Sequence, residues 1–232
     1  MRNFLLTIGL LWLILLSSFG AAQKQDASGL DSVLKKMDET AAHFQTAQAD
    51  FVFEQYQKVV DETDTQKGTV YYRKAAQQIE MMAEFTDPDK KFVLYKDGKL
   101  QIYQPKIEQV MEYSAGANQQ ELESFLVLGF GGSGEDLKKS FDVTYQGEET
   151  LDNIPTAKLQ LIPKSDKVHS NFPQIILWID LDRGISVQQK LMQTQGDYRL
   201  AKYSAIKVNA KVNNDVFRLK TTGKTKFVSP RG

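Results

Sequence analysis

The sequence predicts a mainly β protein, a mostly antiparallel sheet of about eleven strands that curls on itself with only a few helices beside it. Three observations predict this. Period-two alternation of apolar and polar residues fills most of the chain, as where Ile79, Met81, Ala83 and Phe85 interleave with Gln78, Glu80, Met82 and Glu84. Short turns join the runs, so sequence neighbours pair antiparallel. Helical spacing is confined to two main segments, too few to cover so large a sheet on both sides. Its concave face must then fill with side chains or keep a cavity.

Residues 1–22 read as a secretory signal peptide. Arg2 supplies the positive start, Phe4 to Leu16 the apolar core, and Ser17 to Ala22 a small-residue exit. The apolar core is shorter than the ~20 residues a spanning helix needs, so cleavage is expected. Gly20 and Ala22 suit the positions before the cut and make Gln23 the expected mature start, with cleavage after Gly20 as the alternative. Residues 23–232 then form a single domain, soluble once the signal is removed.

In that domain Leu30, Val33, Leu34, Met37, Ala41 and Phe44 recur at helical spacing, with Asp26 or Ser28 as a cap. Ala49, Phe51 and Phe53 alternate with Asp50, Val52 and Glu54 in a strand that passes through a polar turn, Asp61 to Lys67, into the segment at Gly68. After Phe85, the turn Thr86-Asp87-Pro88-Asp89 leads to Phe92–Lys96. That strand pairs across Asp97-Gly98, a dipeptide suited to a type I′ turn, with Leu100–Gln104. Pro105 closes it, and Ile107–Tyr113 is the next strand. Asn118 can cap a short helix to Leu128, with Leu122, Phe125 and Leu126 on one face, until Gly129 stops it.

A glycine-rich loop reaches Gly134, and Glu135–Ser140 can form one more helical turn. Phe141, Val143, Tyr145 and then Ala157, Leu159, Leu161 resume the alternation, and Ser165 to Asn171 reads as a polar loop. Ile175, Leu177 and Ile179, with Ile176 and Trp178 on the opposite face, turn at Leu181–Gly184 into Ile185, Val187 and Leu191. A turn at Gln195-Gly196-Asp197 then starts Tyr198–Val208.

Composition excludes several functions. With no cysteine there are no disulfides, thiolate metal sites, cysteine nucleophiles or lipid-modified N-terminal cysteine. The 29 basic and 29 acidic residues balance, and losing Arg2 with the signal barely changes this, so nucleic acid and anionic membrane are not expected as main partners. Gly129-Phe130-Gly131-Gly132-Ser133-Gly134 spells G-x-G-x-x-G, but Glu135–Ser140 is too short for the helix of a dinucleotide site. Glu135 also stands where a nucleophile elbow around Ser133 needs glycine. His43 and His169 lack converging ligands at any recognisable spacing. No catalytic residues, metal site or cofactor is expected, and the protein is read as a non-enzyme.

Gly68-Thr-Val-Tyr-Tyr-Arg-Lys74, Thr86-Asp-Pro88, Asp97-Gly98-Lys99, Tyr103-Gln-Pro105 and Gln109-Val110 occur in that order at characteristic spacings. Leu161-Ile-Pro163-Lys164 and Val216-Phe217-Arg-Leu219 follow. Together they resemble the periplasmic outer-membrane lipoprotein carrier family, LolA, across the whole mature chain. The resemblance implies an unclosed β-barrel with a helical lid, a periplasmic location, and carriage of lipoproteins from the inner to the outer membrane. Its implied partners are acylated lipoproteins, an inner-membrane lipoprotein-releasing ABC transporter and, where one exists, an outer-membrane receptor. The carrier would act as a monomer.

The family has a basic-basic-proline stretch at Arg73 and Lys74, whose second basic residue is tied to lid gating. Here Lys74 is followed by Ala75, so the arginine fork and the proline are both missing. The two residues also suit a charged edge strand.

Each buried CH₂ is worth ~0.8 kcal/mol, so an acyl chain crosses water only inside a carrier with comparable apolar surface. Methionine and mobile aromatic side chains offer shape-tolerant contacts that also permit release. The candidate cavity residues are Ile79, Met81, Phe85, Leu94, Leu100 and Ile102, and the candidate lid residues Leu122, Phe125 and Leu126. An ordinary filled core would show the same pattern; the family resemblance favours lipid. The alternative is a lipid-binding or envelope-stress sensor module of similar fold, as in RseB, whose second C-terminal domain this chain is too short to hold.

Overall fold

The computed structural model describes residues 17–75, 78–114, 116, 126, 128 and 130–229, with side chains from residue 28 onward. Helix α1 (Ser17–His43) is followed by six strands: β1 (Thr46–Gln57), β2 (Glu62–Ala75), β3 (Gln78–Asp87), β4 (Lys91–Lys96), β5 (Lys99–Gln104) and β6 (Gln109–Ser114). Helix α2 (Gly134–Ser140), β7 (Phe141–Leu151), β8 (Ile154–Pro163) and helix α3 (Asp166–Asn171) come next. The chain continues through β9 (Gln174–Asp180), β10 (Ser186–Met192), β11 (Tyr198–Val208) and β12 (Lys226–Val228).

The strands form one sheet in the order β12-β6-β5-β4-β3-β2-β1-β11-β10-β9-β8-β7. Its ends do not meet, so it is an unclosed, mostly antiparallel barrel, as the sequence predicts. Among the described residues only the β12–β6 pair is parallel. The β4–β5 hairpin turns on Asp97 and Gly98, both at positive φ (50° and 69°), as a type I′ turn requires.

Several boundaries differ from the sequence reading. Helix α1 runs straight through Asp26 and Ser28, because good helix formers such as Ala21, Ala22, Gln23 and Lys24 precede them. The β1–β2 turn is confined to Lys58–Asp61; Glu62 to Lys67 are strand, exposed for the most part, in a hairpin arm whose polar faces hide it from a period-based reading. Pro105–Ile107 form a 3₁₀ turn and delay β6 to Gln109, since Pro105 suits the first position of a helical turn. Ser165 caps α3 by accepting the Val168 N–H, where a loop was expected. Strand β12 has three residues and no alternation to announce it. The expected helix from Asn118 falls almost wholly outside the described residues.

Alternation places two cores on one sheet. On the concave face, α1 lays Val33, Leu34 and Met37 over Ala157, Leu159, Leu161, Ile175, Leu177 and Ile179 of β8 and β9. The helix is fastened at its far end, where Thr40 Oγ1 donates to the Arg183 carbonyl at 2.7 Å. Gly184 makes this approach possible: φ is +63° and a Cβ would lie 2.6 Å from the Lys36 carbonyl. On the convex face, Met82, Leu94 and Phe217 form a second core with Tyr71, Phe92, Val212, Val216 and Leu219. Four of these residues belong to the strap 209–225, which leaves β11, crosses the back of the sheet and ends as β12 beside β6.

Candidate functional site

The half of the concave face not under α1 is built from β1 to β4 and β11. Its cluster contains Ala47, Ala49, Phe51, Val70, Tyr72, Met81, Ala83 and Tyr95, bordered by Phe53, Ile79, Phe85, Val93, Leu100, Tyr203 and Ile206. Register explains the grouping. Tyr72 pairs with Met81 and Met81 with Tyr95, which pairs with Leu100, so these four side chains line up across β2 to β5 on one face. Gly68 is needed in this row: a Cβ there would lie 2.1 Å from the Glu84 carbonyl and 2.8 Å from the Phe51 ring. The missing side chain lets Phe51 lie over β2 and meet Phe85 edge-on at 5.0 Å.

Phe44, at the end of α1, and Phe130, in the loop before α2, cover this surface. The Phe130 ring is fully buried, 5.0 Å from the ring of Tyr72 and 5.0 Å edge-on from that of Tyr203. Burial pushes both tyrosine hydroxyls to raised pKa values, Tyr72 well above its ordinary one, so they stay neutral. The loop ends at Ser133, which caps α2 by accepting the Asp136 N–H at 3.0 Å and donating to its carboxylate at 2.7 Å. That hydroxyl, then Lys139, and then the field of Lys74, hold the Asp136 carboxyl below its ordinary pKa.

Four of the expected cavity residues, Ile79, Met81, Phe85 and Leu100, meet in this cluster. Ile102 shares their face opposite Val93, half-buried and outside the cluster, toward β6. Leu94 does not belong with them. It pairs with Met82 and Gln101 and packs in the convex core against Phe217. Rather than standing empty, the surface is packed by Phe44, Phe130 and Leu126. Of the expected lid residues, Leu126 packs against this cluster, whereas Leu122 and Phe125 lie outside the described residues.

The two basic candidates separate. Lys74 pairs with Ile79 on the concave side, and its field reaches Asp136 of α2. Arg73, one residue earlier, points the other way. Its guanidinium donates to the buried Glu80 carboxylate, Nε at 2.8 Å, bonds Asn214, and lies 4.3 Å from the Phe217 ring centre. Lys96 completes the ion cluster at 3.2 Å from Glu80. Arg73 therefore anchors the strap, and a place in lid gating does not fit its position.

Sequence reasoning missed Phe44, Phe51, Tyr72, Phe130 and Tyr203 as site residues. The parity of β1 and β2 could have found Phe51 and Tyr72, whereas Phe130 sits in a loop without periodicity. At the rim of the face Lys91 lies 3.9 Å above the Phe85 ring and donates to Gln66 at 2.8 Å; burial lowers its pKa. A cleft of about 240 Å³ opens there, lined by Gln66, Pro88, Lys91 and Gln104 among others.

An unclosed, mostly antiparallel sheet with one apolar concave face, covered by a helix and a loop, is a fold this chain shares with solved structures. The structure is similar to that of MucB, with TM-score 0.53 and 16% identity over 83% of this chain and 63% of MucB. It is also similar to an uncharacterized conserved protein from Thermus thermophilus, with TM-score 0.55 and 13% identity over 86% of this chain and 98% of that one. A LolA superfamily protein from Nitrosomonas europaea aligns with TM-score 0.42 and 13% identity over 82% and 97% of the two chains. This chain thus spans less than two thirds of the MucB chain. No curated protein matches it by sequence. A family model described as that of an uncharacterized protein matches residues 73–225, and the chain belongs to that family.

Proposed function

We propose that the protein is a periplasmic carrier that takes acylated lipoproteins from an inner-membrane releasing transporter and delivers them to the outer membrane. The observation that carries this reading is the cover of the concave face. An apolar surface from β1 to β4 is closed by Phe44 at a helix end, Phe130 in a loop, and Leu126, none of them on a second sheet. Such a cover can be displaced without unpairing any strand, and displacement exposes the contiguous apolar surface an acyl chain needs.

In this reading the acyl chain takes the place of Phe130 against Tyr72, Met81 and Tyr203, and Phe85 and Ile79 border it. Lys74, facing Asp136, tunes how readily α2 and the preceding loop lift. Export requires the signal at residues 1–22, and the mature domain 23–232 acts as a monomer without cofactor or catalysis. The test is reconstitution: the mature protein is mixed with inner-membrane vesicles holding a radiolabelled lipoprotein and its releasing transporter. Appearance of label in the soluble fraction, bound to this protein, supports carriage; label that stays with the vesicles refutes it. Mass spectrometry of the exported protein should find a chain starting near Gln23.

The likeness to MucB favours a second reading, a binding module that senses lipid or lipoprotein and reports to another protein. MucB is known in complex with MucA in Pseudomonas aeruginosa. A sensor would bind the acyl chain in the same place but leave the lipoprotein in the vesicle.

A further inference from the structure

Four arginines lie among the described residues, and three have a carboxylate partner: Arg73 with Glu80, Arg183 with Asp180 at 2.6 Å, and Arg218 with Asp215 at 3.9 Å. Arg199 has none within 4.0 Å among the described residues. Its Nε is buried without a hydrogen-bond partner among the described residues. A buried guanidinium donor left unpaired costs more than a neutral one, and a native structure retains such a group where an acceptor completes it.

The position of Arg199 indicates which acceptor. It pairs with Leu191 on one side and Gln55 on the other, and two residues further along β11 Ala201 pairs with Phe53. Phe53 borders the cluster under Phe130, and Leu191 borders the one under α1. Arg199 therefore stands on the concave face, at one end, where the two apolar clusters adjoin. Its guanidinium lies 5.5 Å from the ring centre of Phe172, which packs on the α1 cluster. A planar cation laid over an aromatic ring keeps its edge free for bidentate hydrogen bonds to an oxyanion.

We infer that Arg199 holds the anionic head, carboxylate or phosphate, of an amphiphile whose chain lies on the concave face. The inference rests on the acyl-binding face above and adds a second ligand class to lipoprotein, whose ester- and amide-linked chains end in no oxyanion: a free anionic amphiphile, its tail toward Phe53 and the clusters and its oxyanion at Arg199. Without an amphiphile, water or a free anion would take that position.

The test is calorimetric titration of the mature protein with dodecanoate and with dodecanol, both below their aggregation range, and separately with inorganic phosphate. Dodecanoate should bind about tenfold more tightly than dodecanol, the usual worth of a charge-assisted contact. Arg199→Gln should erase that preference while dodecanol binds as before, and Arg199→Lys should keep part of it. Unchanged dodecanol binding also shows that the variant is folded. Should Arg199→Gln not fold, Arg199→Lys, which keeps the charge but not the bidentate fork, carries the test: an undiminished acid preference in it overturns the inference.

Equal binding of acid and alcohol, or a preference that survives Arg199→Gln, would overturn the inference and leave the acyl-binding reading standing. Phosphate alone binding as tightly as dodecanoate would also overturn it, by making the site one for free anions. Failure of both alkyl compounds to bind would overturn the acyl-binding reading itself.

Discussion

Phe130→Ala separates a displaceable cover from an ordinary core. The ring is 1% exposed and makes two aromatic contacts at 5.0 Å, to Tyr72 and Tyr203. Truncating a buried phenylalanine costs about 3–5 kcal/mol, a figure that already includes its packing partners. If the loop opens independently of the sheet, most of that loss falls on the closed state and little on global unfolding. A loss of ~3 kcal/mol shifts the balance between open and closed forms by roughly a hundredfold. The apparent affinity of a hydrophobic probe then rises by as much as the open fraction does. The assay is titration with an environment-sensitive naphthylamine fluorophore beside urea unfolding followed by far-UV circular dichroism. Tighter probe binding by one to two powers of ten, with a small change in urea midpoint, is expected. If the full penalty appears in global unfolding and probe affinity is unchanged, Phe130 is simply core and the displaceable cover is refuted.

The other predictions concern the division between faces. Leu94→Ala should destabilise the fold by about 2–5 kcal/mol in urea yet leave acyl binding intact, whereas Met81→Ala should weaken binding as well; equal binding losses would contradict the register. Arg73→Met leaves Glu80 with Lys96 alone and should cost about 3 kcal/mol, with faster amide exchange confined to residues 212–219. Exchange unchanged there would show that the strap does not depend on this pair. Ser133→Ala should cost about 1 kcal/mol at neutral pH through loss of the α2 cap. Asp136, with a lowered folded pKa, adds stability that is present above the ordinary value of 3.8 and is lost as pH falls through the folded one. Part of the Ser133→Ala penalty should therefore vanish below that pH in thermal unfolding scans, and a penalty constant down to strong acid would exclude the link to the carboxyl.

Most of the sheet was legible because period two survives wherever one face is buried, as in β1, β7 and β8. What alternation cannot give is the relation between strands. It orders Met81 and Phe85 on one face, but only register shows that Leu94 faces away from them. That register was within reach: the two-residue turn at Asp97-Gly98 pairs Tyr95 with Leu100, so Leu94 and Leu100 cannot share a face. Likewise Arg73 and Lys74 are consecutive in a strand and had to diverge. The covering loop was not legible. Phe130 lies in an aperiodic stretch beside Gly131, whose φ of +83° sets its ring and brings Phe44 close, and nothing local encodes that turn as a cover. The strap was hidden for another reason, since its apolar residues Val212, Val216, Phe217 and Leu219 follow the path of a crossing chain rather than the period of a sheet.

The strap also changes what it costs this protein to come open. Most curled sheets keep their only core inside, so a guest that enters must compete with the packing that holds the fold together. Here the chain is tied across the back of the sheet at both ends, by β11 and β12, with Met82, Leu94 and Phe217 sealed beneath it and Arg73 clamped over Glu80. The back serves as a keel. Strands β2 to β4 stay in register through packing that faces away from the hollow, which is what the proposed carriage asks of the fold: a front that empties and refills while the hull keeps its shape.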